Sequence, residues 1–189
     1  DVEHFCPNHN DDSIEELRIL WIGRTSGSAS RGVQCLARAV YRLNELGIPV
    51  HAKILGHPAG IEPGSMELCG WVHDPLPYLQ WSRIAFARGR ALREAMSCGN
   101  AGFLLAHGYG GLVQRKWFSE GTPVQLSGSP LHGAAPLDSS RIAADIVKLY
   151  RNREQLALER RDAREIALDF FDVKVMVRQT CELYRNLTE

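Results

Sequence analysis

Apolar positions in this chain fall into short bulky runs that alternate with helical stripes. Leu17, Ile19, Leu20, Trp21 and Ile22 form a run too short for a helix and bulky enough for a buried strand. Residues 23–32 then carry no large apolar side chain. Beyond them Val33, Leu36, Ala37, Val40 and Leu43 recur at helical spacing, with Ser30 placed to cap the start and Gly47 and Pro49 to end the element. Val50 to Leu55 supplies the next strand. The opening is therefore a βαβ unit, and the sheet it starts is predicted to be parallel.

The same reading extends along the rest of the chain. A strand is predicted within Met66 to Val72, around Leu68, Cys69 and Trp71, and Pro75 and Pro77 bracket a turn into Tyr78-Leu79-Gln80-Trp81. Ile84-Ala85-Phe86 reads as a short buried strand, Arg88 to Cys98 as a helix stopped by Gly99, and Ala101 to Ala106 as another strand entering a turn at 107–111. Gln114 to Pro136 reads as loop with a short strand at Val124-Gln125-Leu126. From Asp138 the pattern is helical, first through Ile142, Ile146, Val147 and Leu149, then through a charge-dense segment to Arg164. Asp172 is placed to cap a last helix with the stripe Val173, Met176, Thr180, Leu183 and Leu187. Residues 1–16 are polar and read as a linker or arm, and 17–189 as one domain. The tally predicts a doubly wound, Rossmann-like parallel α/β sheet flanked by helices, with ligands expected beyond the carboxyl ends of its strands.

Composition narrows the partners. Lys plus Arg number 22 and Asp plus Glu 22, so no global field draws the chain to nucleic acid or acidic lipid, and any anion site must be local. Five widely spaced cysteines without a Cys-x-x-Cys pair point away from a disulfide framework or a structural zinc and toward a reducing, cytoplasmic setting. No apolar stretch is long enough to span a bilayer, and no signal-peptide pattern opens the chain. Asn186-Leu187-Thr188 is a chance-level glycosylation triplet. Starting at Asp1 rather than Met, the sequence reads as a piece of a longer chain. His4, Cys6 and His9 lack a fourth ligand at a metal-binding spacing and read as a loosely ordered terminus.

The stretch that suggests chemistry is 23–32. Its small side chains let a ligand approach the main chain, and the following helix directs free N–H groups and a positive dipole end at it, so the natural guest is an anion. It is neither a G-x-G-x-x-G nor a Walker loop, and a flexible connection with two surface arginines is the plain alternative. Arg24, directly after the strand, and Arg31, at the helix start, suit a diphosphate because guanidinium groups make paired, charge-assisted bonds to phosphate oxygens. In the second motif, 87–99, Arg90 and Glu94 are spaced as a helix-supporting i,i+4 pair. The same stretch also offers Gly89 baring N–H groups at a helix start and Glu94 accepting from sugar hydroxyls.

Gly-Arg after a strand, then Gly-Arg-Ala-Leu-x-Glu-Ala-Met-x-Cys-Gly, then a Gly-Gly loop resembles the C-terminal half of a GT-B glycosyltransferase of the large retaining class, family four. The arm Asp1-Val2-Glu3-x-Phe5-x-Pro7 resembles the segment that enters that half, so the likeness covers nearly the whole chain. The resemblance implies that Arg24 and Arg31 bind the donor diphosphate and that Glu94 bonds the nucleotide's ribose. It further implies that Gly23 and the Gly89-Arg90-Ala91 main chain hold donor phosphate or sugar, and that a turn at Gly108, Gly110 and Gly111 lies beside the donor sugar. It implies no metal and no cofactor, assigns no catalytic residue, and expects the donor to be a UDP- or GDP-type sugar. The partner would be an acceptor-binding N-terminal half absent from this chain, without which transfer is expected to be negligible. An exposed apolar patch on the last helix is expected near that partner. Where the family has the first glutamate of its Glu-x7-Glu motif, this chain has Phe86. A non-catalytic sugar-nucleotide-binding or scaffold domain is the alternative that this departure suggests. A flavodoxin-like or receiver-like module would need acidic or flavin-stacking residues where arginine and glycine stand.

Overall fold

The computed structural model describes residues 1–8, 16–57, 60–119 and 124–188. A six-stranded sheet has the order β3-β2-β1-β4-β5-β6, formed by β1 (Leu17–Ile22), β2 (Val50–Leu55), β3 (Glu67–Gly70), β4 (Ile84–Ala87), β5 (Ala101–Leu105) and β6 (Tyr109–Leu112). The first five run parallel, with Trp21 opposite Ile54 on one side and Phe86 on the other. Helix α1 (Ser30–Glu45) follows β1, α2 (Leu76–Trp81) precedes β4, and α3 (Gly89–Ser97) joins β4 to β5. After β6 come α4 (Lys116–Ser119), α5 (Ser139–Arg151), α6 (Arg153–Ile166), a π turn at Ala167–Phe171 and α7 (Val173–Thr188).

Strand alternation divides the core between two helical layers. Ile19, Trp21, Ile84, Phe86 and Phe103 bury one face against Val33, Leu36 and Val40 of α1 and Ile142 and Ile146 of α5. Leu20 and Ala85 turn the other way onto Leu79 of α2 and Ala95 of α3, and Ala87 and Leu104 meet Leu92, Met96 and Ile166. The central strands are covered on both faces, which is why they read as continuous apolar runs. The doubly wound, Rossmann-like architecture is therefore as the sequence predicted.

Four local expectations are corrected. Residues 109–112 form a strand, not a turn, and β6 is antiparallel to β5. Only three residues separate the two, too few for a parallel crossover, so the chain can return only antiparallel. Tyr109, flanked by glycines that hide the alternation, is buried and stacks on Phe103. Val124-Gln125-Leu126 is not a strand: the main chain of Tyr109 pairs instead with Ala135, and Leu126 is buried as an apolar anchor. The Pro75 to Trp81 stretch contains helix α2, because prolines at a helix start forfeit no helical bond and Asp74 Oδ1 accepts from the Leu76 N–H at 2.9 Å. Ser30 is the first residue of α1, not its cap. A 3-10 turn at Gly27–Ala29 precedes it, and its hydroxyl donates to the Gly27 carbonyl at 2.7 Å.

The N-terminal arm is docked along residues 1–8. Val2 is buried, and Arg164 of α6 donates to the carbonyls of Val2, Phe5 and Ser97 at 3.0, 2.8 and 2.6 Å. This tie replaces the loosely ordered terminus expected for His4 and Cys6, while His9 and Asp11-Asp12-Ser13 lie outside the described residues. At the other end, α7 leaves Met176, Val177, Leu183 and Tyr184 exposed, in keeping with the expected apolar patch. No helix among the described residues is long and apolar enough to cross a membrane.

Asn100 is fully buried and closes a polar knot beneath the sheet. It accepts from Ser82 Oγ at 2.7 Å and donates to the carbonyls of Leu79 and Ala95 at 2.7 and 3.1 Å, joining α2, α3 and the approach to β4. Asn100→Ala would remove all three bonds, at about 0.5–1.5 kcal/mol each, while Ser82 Oγ keeps its bond to the Leu79 carbonyl and the Ala95 carbonyl its main-chain donors. We expect a loss of roughly 2–4 kcal/mol in urea unfolding with an unchanged m-value; a loss below about 0.5 kcal/mol would contradict the knot's structural role.

Candidate functional site

The sheet changes direction of travel between β1 and β4, since β2 lies on one side of β1 and β4 on the other. Loops leaving the carboxyl ends of these two neighbours part to opposite faces and open a crevice between them. The β1 loop begins at Gly23, whose positive φ of 148° suits glycine and whose N–H donates to the Leu55 carbonyl at 3.1 Å. That loop lies low on the neighbouring strand end because Gly56 has no side chain. A Cβ there would stand 2.3 Å from the Gly23 carbonyl oxygen. Thr25, buried beside it, donates its hydroxyl to the His57 carbonyl.

Both helices that start at the crevice have undressed N-termini. The cap positions of α1 and α3 are Ala29 and Arg88, neither of which makes a side-chain cap bond, and neither first turn holds an acidic residue. By contrast, Asp138 caps α5 and Asn152 caps α6. Gly89 does not bare its N–H as expected, since it donates to the Leu126 carbonyl at 2.7 Å. The main-chain donors left at that helix start begin at Arg90. At α1 the preceding 3-10 turn takes up the Ser30 N–H, which donates to the Gly27 carbonyl; the first-turn donors that remain at the two helices leave partial positive charge at the crevice.

Two hollows adjoin there. One, of about 550 Å³, lies between the β1 and β4 loops and is lined by Trp21 to Arg24, Ala29, Arg88 to Ala91, Leu126 and Ser127. Three of its residues are arginines and none is acidic. Trp21 buries its Nε1–H without an acceptor among the described residues. The second hollow, of about 340 Å³, shares Ile22, Gly23 and Arg24 and continues along Thr25, Gly56, His57, Gly70, Trp71, Val72 and Pro75. Trp71 is 75% exposed, an indole held out at its rim.

The sequence-predicted residues separate into those the crevice gathers and those it does not. Gly23, Arg24, Gly89, Arg90 and Ala91 line the first hollow together. Arg31 is exposed on the first turn of α1 and lines neither hollow. Glu94 lies a turn into α3, mostly buried, and accepts from Arg90 Nε at 2.6 Å. This bond draws the carboxylate toward the helix start and raises the Arg90 pKa, first through the hydrogen bond and then through its charge. Gly110 and Gly111 line a different cleft, with Arg141, Asp145 and Lys148 beside β6. Phe86 is fully buried and stacked on Phe103 at 4.9 Å, so position 86 belongs to the core rather than to the crevice. Among the described residues no cluster of three His, Cys, Asp or Glu could hold a metal ion.

Sequence reasoning assigned no role to Arg88, Trp71, His57 or Ser127. Arg88 was findable, because it lies two residues beyond a predicted strand end at the switch point. Ser127 was not, since only the fold brings 126–127 against α3.

No protein-family model and no curated protein matches this sequence. Solved structures do. A glycosyltransferase from Rickettsia africae ESF-5 superposes with a TM-score of 0.69 at 14% identity, over 100% of this chain and 55% of that one. The C-terminal domain of a glycosyl transferase group 1 family protein, LpcC, from Francisella tularensis gives 0.61 at 14% identity, over 92% and 98%. A mutant of S. aureus TarM, determined with UDP among its ligands, gives 0.62 at 14% identity, over 95% of this chain and 37% of that one. The chain thus spans 55% and 37% of two of these structures and nearly all of the isolated C-terminal domain. These likenesses establish the fold, that of the Rossmann-like C-terminal domain of GT-B glycosyltransferases.

The close approach at Gly56 generates a test of the site's construction. Gly56→Ala must push the Gly23–Arg24 loop outward, costing roughly 1–3 kcal/mol in chemical unfolding. The amide resonances of Gly23, Arg24 and Thr25 should shift while those of β5 stay in place. An unchanged loop and stability would contradict the packing described.

Proposed function

We propose that this chain is the donor-binding half of a retaining glycosyltransferase, taking a nucleoside-diphosphate sugar of UDP or GDP type. The observation that carries the reading is the first hollow. Arg24 and the open N-termini of α1 and α3 converge there without an acidic side chain. Such a site neutralises a diphosphate without a metal ion, and its field strengthens as charge develops on the leaving phosphate during transfer. The main chain of Gly23 and of Gly89 to Ala91 lies against the phosphates, with Arg31 in reserve on α1. The second hollow takes the nucleoside, its base beside Trp71. Glu94, held toward the helix start by Arg90, is the ribose acceptor. Residues 17–189 form the donor domain, and 1–16 the arm entering it.

The acceptor would bind on a second, N-terminal α/β half facing the crevice, which the exposed side of α7 would help to hold. The enzyme would work in the cytoplasm. Alone, this chain is expected to bind nucleotide weakly and transfer little. One observation favours a second reading, a non-catalytic sugar-nucleotide-binding domain: Phe86 is locked in the core, so the family's first glutamate has no counterpart at the donor-sugar end.

Calorimetric titration with UDP and GDP tests the reading. One of the two should bind, and Arg24→Ala should weaken it about 10- to 100-fold, the range expected for a lost charge-assisted pair. Equal affinity in both proteins would contradict the site. Turnover of the matching sugar nucleotide by the chain joined to its N-terminal half separates the enzyme from the binding domain.

A further inference from the structure

We infer that Arg88 is the partner of Arg24 in gripping the donor diphosphate, the place that the family pattern gives to Arg31. This rests on the proposed function and specifies its chemistry.

Strands β1 and β4 are parallel neighbours with Trp21 opposite Phe86, so Gly23 and Arg88 stand level where the two strands end. Adjacent strands lie about 4.8 Å apart. Arg24, one residue past Gly23, and Arg88 thus leave neighbouring strand ends into one hollow and can reach the two phosphates of one ligand. Arg88 keeps the extended backbone of the strand, with φ −139° and ψ 161°. Period-two alternation places it on the same face as Phe86, the face covered by α1, and it lines the first hollow together with Ala29 at the start of that helix. Arg31, two residues beyond Ala29, is exposed and lies outside that hollow.

The electrostatics favour an anion. Arg88 is half-buried, and its guanidinium has no hydrogen bond, ion pair or ring partner among the described residues. Arg24 is exposed and likewise has no partner among the described residues. Arg90, the remaining arginine of the hollow, is bonded to Glu94. Two unpaired guanidinium groups and two positive helix ends lining one hollow repel one another. Partial burial also costs Arg88 hydration that no protein group returns. An anion with several oxygens set between them turns each repulsion into attraction. A diphosphate fits because each guanidinium can make paired bonds to its own phosphate.

The test compares UDP and GDP with uridine and guanosine on the chain and on Arg88→Gln, Arg31→Gln and Arg93→Gln variants, with thermal melting to verify folding. Arg88→Gln should weaken the bound diphosphate at least tenfold and leave the nucleoside within twofold. Arg31→Gln should cost less than Arg88→Gln, and Arg93→Gln nothing measurable. Arg88→Lys should restore part of the loss. Independently of any variant, the bound nucleotide should protect Arg24 and Arg88 from phenylglyoxal more strongly than Arg31, as read by peptide mass mapping. The inference is overturned if Arg31→Gln costs more than Arg88→Gln, or if Arg31 is protected and Arg88 is not. It is also overturned if Arg88→Gln weakens only a sugar nucleotide bearing a carboxylate, such as UDP-glucuronate, which would place Arg88 on the sugar. If neither diphosphate binds the unaltered chain, it is the proposed function that fails.

Discussion

Positive charge without a counter-charge, held at the point where the sheet reverses its direction of winding, is the constraint on which the rest of this molecule's behaviour depends. Parallel β1 and β4 are neighbours whose following helices lie on opposite faces, so two helix N-termini arrive at one crevice. Protein chains ordinarily dress such ends with Asp, Asn, Ser or Thr caps, as this chain does for α5 and α6. At the crevice it places Ala29 and Arg88 instead. The folded state therefore concentrates positive charge at this point.

Packing holds the arrangement rigid. Gly56 lets the Gly23 loop lie against β2, and a Cβ at Gly32 would meet the Ala106 carbonyl oxygen at 2.4 Å, so α1 sits as close to the sheet as the main chain allows. Beneath, Phe86, Phe103 and Tyr109 stack in sequence across β4, β5 and β6. Tyr109 donates its hydroxyl to Asp145 at 2.9 Å, and burial pushes its pKa up, with the Asp145 charge adding to the shift. The ring at position 86 thus anchors the strand end that carries Arg88.

Much of this was legible in the sequence. The run 17–22, the small-residue loop after it and the stripe from Val33 to Leu43 specify the first strand, loop and helix, because a period of 3.6 and a short bulky run are strong local signals. The antiparallel return of β6 was hidden because two of its four residues are glycines, which carry no alternation. Leu126 reads as strand because it is apolar beside Val124, and its actual service, accepting from the Gly89 N–H, depends on a contact across 37 positions that no local pattern encodes. Of the residues that line the crevice, Arg24 was read from the rule that ligands lie beyond strand ends, and Gly23 and the 89–91 main chain from the resemblance. Arg88 obeys the same rule, but the resemblance drew attention to the helix behind it and to Arg31. Gly110 and Gly111, singled out as a glycine pair, stand in an edge strand and line a cleft apart from the crevice.

The central claim is that the β1/β4 crevice receives a nucleoside diphosphate, and amide chemical-shift mapping during titration with UDP and with GDP tests it most directly. The account predicts that one of the two perturbs Gly23, Arg24 and Arg88 to Ala91 together, with Trp71 following from the adjoining hollow. Perturbation centred on Gly110, Gly111 and α5, or none with either nucleotide at millimolar concentration, would contradict it.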